Sequence, residues 1–221
     1  MLHSAGIDFE VTVKSSAEPP VVLLHGSNGR ETDWTDFAEC VAPSSTCFAV
    51  RGPIASEHGF TFFRRNPDRS LNIEELTHGA ASLCAFIDAI SREYDLARAP
   101  IIAGYSSGAV IAAAVVCRQR ALTSGAILLR PQSPDPQTPF PDLKEYPVLI
   151  LAGANDDRRD RCDAPVIAEQ FHVAGADLTY RLLDAGHGWE PTGLDRSLSR
   201  QWFQNQFPTS SNPMSIRGDH A

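Results

Sequence analysis

The sequence lacks the features that place a chain in a membrane or on a nucleic acid. No apolar run in its 221 residues approaches the ~18 residues that a bilayer-spanning helix needs. Positive charge is scarce, because 19 Lys and Arg stand against 27 Asp and Glu and leave a formal net charge of −8. We therefore expect no nucleic-acid partner and no membrane insertion. No basic segment followed by an apolar core opens the chain, so no signal peptide is predicted.

Motifs for metals, nucleotides and disulfides are also missing. The chain has no HExxH, no Walker A sequence, no GxGxxG and no paired Cys/His ligand set, so neither a metal nor another cofactor is implied. Its cysteines are odd in number, irregularly spaced and without a CxxC pair, which favours buried, reduced thiols and a cytoplasmic protein over a disulfide or metal role. The five are Cys40, Cys47, Cys84, Cys117 and Cys162.

What the sequence does contain is an alternation of short β-rich runs with helical stretches, which predicts an α/β fold with a mostly parallel sheet. The predicted strands are Asp8–Val13, Val21–Leu24, Thr46–Val50, Ile101–Tyr105, Ala126–Leu129, Val148–Ala152 and Leu178–Leu183. The predicted helices are Leu76–Tyr94, Ser107–Gln119, Ala164–Ala174 and Asp195–Phe207.

The organisation along the chain predicts one domain over residues 1–207. Residues 208–221 are polar and are expected to form a disordered tail. Two long loops, 51–72 and 130–146, interrupt the pattern, and neither is long enough to be a large lid domain, although the first has the length to cover a site.

The pentapeptide Gly104-Tyr105-Ser106-Ser107-Gly108 is the strongest functional signal. It matches G-x-S-x-G, follows an apolar strand and precedes an Ala-rich helix, which is the context of a serine held on a sharp strand-to-helix turn. Ser106 is therefore the predicted nucleophile, against the alternative of an ordinary Gly/Ser turn.

A serine hydroxyl needs a base, and His187 in a Gly-flanked loop after the last predicted strand is the candidate. The acid that orients it should follow a strand between the two. Asp156 holds that place, with Asp157 and Asp160 close enough to leave the choice partly open.

Two backbone amides should hold the oxyanion of the reaction. Ser107 follows the nucleophile, and Ser27 lies in the loop after the first apolar strand, so these two are the predicted donors. His25 is expected to support that loop rather than to act as a second base.

A substrate pocket is also predicted, without a motif to support it. The residues predicted to line it are Trp34, Phe60, Phe62, Phe63 and Arg65. The aromatic residues fit ordinary core packing equally well. Arg51, Arg65 and Arg130 could bind a substrate carboxylate, but arginines at strand ends more often tie loops together, and we favour that role.

The ordered set LLHGSNGRETD, RGP, FFRR, GYSSGA, LLRP, LAGANDD and AGHGW resembles the carboxylesterase/phospholipase family of α/β hydrolases, over residues 21–207. It is most similar to a small bacterial predicted-esterase branch that includes esterases linked to hydroquinone resistance. The resemblance implies the α/β-hydrolase fold with no large lid domain, and Ser106, Asp156 and His187 as nucleophile, acid and base. It also implies Ser27 and Ser107 as oxyanion donors, and a homodimer as one assembly. The family often has an apolar, proline-containing stretch after the acid, whereas this chain has the charged rim of residues 157–161.

These observations predict a carboxylesterase that cleaves small soluble esters through an acyl-enzyme. One alternative is a thioesterase or lysophospholipase that uses the same residues on longer acyl groups. The other is a binding or sensor protein that keeps the fold without turnover. The natural substrate is not readable from the sequence.

Overall fold

The computed structural model describes residues 1–208 of the chain, so the predicted tail lies outside the described residues apart from Pro208. An eight-stranded sheet organises this part of the chain. Its strands follow the order β1-β2-β4-β3-β7-β8-β9-β10, and a separate pair, β5 and β6, forms a small hairpin. The strands are β1 (Leu2–Ser4), β2 (Ile7–Thr12), β3 (Val21–Leu24), β4 (Cys47–Val50), β5 (Ile54–Ala55), β6 (Phe60–Thr61), β7 (Ile101–Tyr105), β8 (Gly125–Leu129), β9 (Pro147–Gly153) and β10 (Asp177–Leu183).

The sheet is parallel from β4 to β10, and β1 and β2 add antiparallel pairing at one edge. The central strands β3, β7 and β8 are buried almost throughout, which is why they read as continuous apolar runs instead of alternating ones. The predicted mostly parallel sheet is therefore confirmed.

Five α-helices cover the two faces of the sheet. They are α1 (Thr35–Val41), α2 (Ile73–Glu93), α3 (Ser107–Gln119), α4 (Asp163–Val173) and α5 (Leu194–Gln206). Since side chains alternate along a strand, β3 feeds both layers. Val22 and Leu24 pack in a core that includes residues of α2, α3 and α4, whereas Val21 and Leu23 pack with residues of α1 and α5.

Candidate active site

Four loops meet at the carboxyl edge of the parallel strands, where open α/β sheets place their sites. They follow β3, β7, β9 and β10, and they carry Ser27, Ser106, Asp156 and His187 respectively. The predicted site residues come from segments far apart in the chain because neighbouring parallel strands all end at this edge.

Ser106 lies on a strained turn between β7 and α3. Its φ of 54° and ψ of −114° place a non-glycine residue in a region that costs on the order of 1–3 kcal/mol. The Ser106 amide donates to the Leu129 carbonyl at 2.9 Å, and the Ser106 carbonyl accepts from Ala109 and Val110 at 3.1 Å. These backbone bonds hold the turn, and the hydroxyl is left free to face the neighbouring loops.

The two glycines of the pentapeptide are required by close backbone contacts. A Cβ on Gly108 would lie 2.1 Å from the Leu24 carbonyl oxygen, and one on Gly104 would lie 2.3 Å from the Gly108 carbonyl oxygen. Neither distance is tolerable for a carbon atom, and both obstacles are main chain. The glycines therefore let α3 begin directly against the end of β3.

The structure brings Ser106, His187 and Asp156 into one hydrogen-bonded chain. His187 Nε2 lies 2.9 Å from Ser106 Oγ, and His187 Nδ1 lies 2.9 and 2.8 Å from the two carboxylate oxygens of Asp156. A neutral imidazole with its proton on Nδ1 satisfies both contacts, because Nδ1–H donates to the carboxylate and Nε2 accepts the serine O–H. Of the other acid candidates, Asp157 and Asp160 are exposed.

Burial lowers the pKa of His187 below its usual value of 6.5, and the nearby charges of Arg159 and Arg158 lower it further. The Asp156 carboxylate opposes this effect by stabilising the charged ring. The resulting imidazole is neutral at pH 7 and has its free lone pair on Ser106, which is the state a general base needs.

Ser27 and Ser107 also lie together. The Ser27 hydroxyl donates to the Ser107 hydroxyl at 3.0 Å, which joins the loop after β3 to the first residue of α3. Among the hydrogen bonds of residues 1–208, neither the Ser27 nor the Ser107 amide donates to a protein acceptor. Both amides are thus available to a ligand beside Ser106, and the helix N-terminus at Ser107 favours negative charge there.

His25 is buried, with 1% of its surface exposed, and it links two loops. Its Nδ1 lies 2.7 Å from the Gly26 carbonyl oxygen, and its Nε2 accepts the Gly52 amide at 2.9 Å. Burial lowers the pKa of His25, so the ring is neutral with the proton on Nδ1. These contacts are those of a residue that supports the Ser27 loop.

Arg130 fixes the loop that carries His187. Its guanidinium donates to the carbonyls of Gly186 and Gly188 at 3.0 and 3.1 Å, on either side of the histidine. The same group forms a two-pronged ion pair with Asp195 at 2.8 and 2.9 Å, and Asp195 also accepts the Glu190 amide. Both charged side chains are almost fully buried, so Arg130 has the loop-tying role favoured from the sequence.

Three of the aromatic residues predicted for the pocket belong to the core instead. Trp34 is 1% exposed, and Phe62 and Phe63 are each 2% exposed. The Trp34 ring packs edge-on against Phe37 and Trp189. This part of the pocket prediction is wrong, because a side chain enclosed by protein offers no surface to a substrate.

The remaining pocket candidates, Phe60 and Arg65, are half-buried. The Phe60 ring is covered by guanidinium groups, with Arg51 at 4.6 Å and Arg30 at 5.5 Å from its centre. Arg51 in turn donates through Nε to Glu31 at 2.8 Å, which ties it to its own loop.

Arg65 joins the long loop 51–72 to the loop after β8. It donates to the Arg69 carbonyl at 2.8 Å and to the Gln132 side chain at 3.0 Å.

Two residues at the site were missed as individual residues by the sequence analysis. Arg159, in the charged rim, donates to Ser106 Oγ at 3.3 Å and to the Arg130 carbonyl at 3.0 Å. Trp189 is 37% exposed and stacks on Tyr105, with the ring centres 5.1 Å apart. The run Asp157-Arg158-Arg159-Asp160-Arg161 signalled a charged rim, but nothing in its pattern shows which arginine turns inward.

No group of three or more His, Cys, Asp or Glu side chains in residues 1–208 is placed to hold a metal ion. None of the helices there has the length and hydropathy to span a membrane. All five cysteines are free, but only Cys47 and Cys84 are buried and Cys162 is exposed, so the prediction of buried thiols holds only in part.

Comparisons with known proteins agree with this architecture. The MhqD protein of Bacillus subtilis (strain 168), which bears the general name hydrolase, is 28% identical over 192 residues, which cover 86% of this chain and 95% of MhqD. A carboxylesterase of Bacillus cereus superposes with a TM-score of 0.85 at 27% identity, and the match covers 91% of this chain and 95% of that one. A carboxylesterase of Mesorhizobium loti superposes with a TM-score of 0.84 at 28% identity and covers 91% and 96% of the two chains.

No protein-family model matches the chain. The three relatives nevertheless confirm the resemblance to carboxylesterases of the α/β-hydrolase fold, and with it the prediction of an ester hydrolase.

Proposed function

We propose that this chain, an ester hydrolase with the α/β-hydrolase fold, cleaves small soluble carboxylic esters through an acyl-enzyme formed on Ser106. The observation that carries the proposal is the hydrogen-bonded chain from Ser106 through His187 to Asp156. A strained serine turn, a neutral buried imidazole and a carboxylate on its far nitrogen are the parts that nucleophilic catalysis by serine requires.

Acylation begins with a proton transfer. As Ser106 Oγ attacks the ester carbonyl carbon, its proton passes to His187 Nε2, and the Asp156 carboxylate stabilises the imidazolium that forms. The carbonyl oxygen becomes an oxyanion, which accepts hydrogen bonds from the amides of Ser27 and Ser107. When the intermediate collapses, the bond to the alcohol oxygen breaks and His187 returns the proton to the departing alcohol.

Deacylation repeats these steps with water. His187 takes a proton from a water molecule that attacks the acyl carbon, and the same amides hold the second oxyanion. The bond to Ser106 Oγ then breaks, His187 protonates the serine, and the carboxylic acid leaves. Arg130 does not touch the reacting atoms in this scheme. It is a positioning residue that holds the loop on both sides of His187.

Two measurements test the proposal together. We expect a fluorophosphonate probe to label the wild type and Ser82→Ala equally and to leave Ser106→Ala unlabelled. With p-nitrophenyl esters of increasing chain length, we expect kcat/KM to be highest for short acyl groups and to fall by about 10³- to 10⁴-fold in Asp156→Asn.

Each outcome discriminates between the rival functions. A folded wild type that neither labels nor turns over would mean that the chain binds without catalysis. Labelling together with a preference for long acyl chains or thioesters would replace the small-ester specificity by that of a thioesterase or lysophospholipase. Labelling of Ser106→Ala would mean that Ser106 is not the nucleophile.

A further inference from the structure

A cationic side chain, Arg159, contacts the proposed nucleophile Ser106 but takes no part in the proposed acylation and deacylation steps. Arg159 Nη2 lies 3.3 Å from Ser106 Oγ, and Arg159 Nε donates to the Arg130 carbonyl at 3.0 Å. A guanidinium has five N–H donors. Two are engaged by these contacts, so three remain, and two of those belong to Nη1, for which the described residues provide no acceptor.

The charge of Arg159 has no ionic partner within residues 1–208. The ion pairs of this part of the chain do not include Arg159. The nearby carboxylates have other contacts, since Asp156 is held by His187 and Asp163 accepts the Asp160 amide at 3.0 Å.

Arg65 adds a second positive charge from the opposite loop. It too lacks an ion pair in the described part of the chain, and its neutral partners are a carbonyl and an amide side chain. Burial lowers the pKa of Arg159 to about 10, and the charge of Arg65 contributes to that decrease. The charges of Asp163 and Asp156 act in the opposite direction, but neither carboxylate forms an ion pair with Arg159. An anion bound directly to Arg159 would therefore offset its desolvation and the repulsion by Arg65.

The site is not closed around Arg159. The side chain borders a cavity of about 330 Å³, and its lining also includes Arg161, Asp156 and Asp160. A small ligand group can therefore approach the guanidinium from outside the protein.

We propose, on the basis of the function proposed above, that the substrate is an ester with a second, ionised carboxylate, and that Arg159 binds this carboxylate with the assistance of Arg65. The distance limits the spacer. A carbonyl carbon about 3 Å from Ser106 Oγ and a carboxylate about 2.8 Å from the guanidinium leave roughly 4–6 Å between the two carbon atoms. Short spacers of two or three atoms fit this range, in a monoester of a small dicarboxylic acid or an acyl ester of a small hydroxy acid.

The test compares each anionic ester with a neutral ester of similar shape. Monoethyl succinate against ethyl pentanoate places the carboxylate on the acyl side, and acetoxyacetate against propyl acetate places it on the alcohol side. Hydrolysis is followed by proton release at pH 7.5. We expect the wild type to favour the anionic member of at least one pair by about 10-fold or more in kcat/KM, and the favoured pair identifies which side carries the charge.

Variants assign this preference to the guanidinium. We expect Arg159→Gln to reduce the anionic-to-neutral ratio by about 10- to 100-fold, as charge-assisted hydrogen bonds are lost. Arg65→Gln should reduce it less, and Arg159→Lys should fall between the wild type and Arg159→Gln. Arg181→Gln is the control, because it removes one positive charge from an exposed side chain on β10 that hydrogen-bonds only to the Tyr180 carbonyl, and it should leave the ratio unchanged.

Three results would contradict the inference that Arg159 binds a substrate carboxylate. The inference is overturned if the wild type hydrolyses the neutral esters as well as the anionic ones, or if Arg159→Gln slows both members of a pair equally. It is also overturned if Arg181→Gln acts like Arg159→Gln. If the protein hydrolyses neutral esters without preferring anionic ones, the proposed function stands and only this inference fails. If it shows neither hydrolysis nor probe labelling, the proposed function itself fails.

A measurement on the wild type alone guards against misfolded variants. Succinate should inhibit hydrolysis of ethyl pentanoate competitively, and its uncharged counterpart succinamide should inhibit at least about 10-fold more weakly. Equal inhibition by the two compounds contradicts a cationic subsite.

Discussion

The imidazole of His187 is subject to opposing influences from the side chains around it. Burial and the charges of Arg159 and Arg158 lower its pKa, and Asp156 raises it. Because general-base catalysis needs the neutral ring, kcat/KM should rise with pH through the pKa of His187 and level off above it. The midpoint of this acid limb should lie below pH 6.5, since the net effect of the surroundings is to lower the pKa.

Arg159→Gln changes this limb in a predictable direction. Removal of a positive charge near His187 stabilises the imidazolium, so the pKa rises and the acid limb moves to higher pH. The measurement is kcat/KM for a neutral p-nitrophenyl ester between pH 4.5 and 8.5. Arg181→Gln should leave the midpoint in place, and a midpoint that stays fixed or moves down in Arg159→Gln contradicts the electrostatic coupling.

The individual residues differ in how far the sequence could predict them. Ser106 and His187 stood out because glycine spacing marks sharp turns, and this information is local. Trp34 was misassigned to a pocket, since an aromatic residue near a site has the same pattern whether its ring faces solvent or the core. Arg159 was not singled out because its direction depends on contacts with Ser106 and Arg130, which lie in other loops.

At the scale of elements, the unit formed by β7, the serine turn and α3 has no room for added side-chain atoms at its close backbone contacts. The helix N-terminus is pressed against the end of β3, and Gly108 makes this approach feasible. β7, α3 and β3 all have the bounds that the sequence predicted, because an apolar run that ends at a turn motif marks both ends of an element.

Gly108→Ala should disrupt this unit. The added methyl group would lie 2.1 Å from the Leu24 carbonyl oxygen, so the helix or the strand must shift. We expect a loss of about 2–4 kcal/mol in the free energy of unfolding, within the range for strained or overpacked sites. Esterase activity should fall at the same time, as Ser106 moves with the turn. Urea unfolding and ester hydrolysis measure the two effects.

Gly188→Ala is the matched control for stability. A Cβ at Gly188 meets no atom within 4 Å, so its unfolding free energy should stay within about 0.5 kcal/mol of the wild type or rise slightly. If the two alanine variants lose the same stability, backbone contact at Gly108 is not the cause.

Elements with weak local signals were missed or shifted. α1 has only seven residues, β1 has three, and the β5–β6 hairpin has two in each strand, which is too short for a period to be recognised. α2 begins at Ile73 instead of Leu76. Its start is set by the Asn72 side chain, which accepts the Glu75 amide at 3.1 Å, whereas the apolar stripe marks only the buried face.

At the scale of the whole molecule, the parallel sheet brings residues from distant parts of the sequence together at one edge. The four loops with Ser27, Ser106, Asp156 and His187 span about 160 residues of chain, and their order in the sequence is what the predicted roles rest on. The formal net charge of −8 describes the average surface, but it gives no indication of the positive charge of Arg159 beside Ser106. A homodimer and a cytoplasmic location stay predictions.

The pH dependence of global stability combines the two buried histidines. The pKa values of His25 and His187 are both lowered in the folded protein, so the unfolded chain binds more protons when the pH falls below 6.5. The stability that each neutral ring contributes is fully present above pH 6.5 and is lost as the pH falls through the folded pKa. For each histidine the slope of the unfolding free energy is at most ~1.4 kcal/mol per pH unit.

His25→Gln separates the two contributions. A glutamine at this position does not titrate, so we expect the stability of His25→Gln to decline less steeply than that of the wild type between pH 6.5 and 5. Urea unfolding at half-unit pH steps gives the comparison, with His58→Gln as a control at an exposed histidine that forms no contact with the core. Parallel curves for the wild type and His25→Gln would mean that His25 takes up its proton equally in the folded and unfolded chains. His25 would then not support the Ser27 loop as a neutral ring held between Gly26 and Gly52.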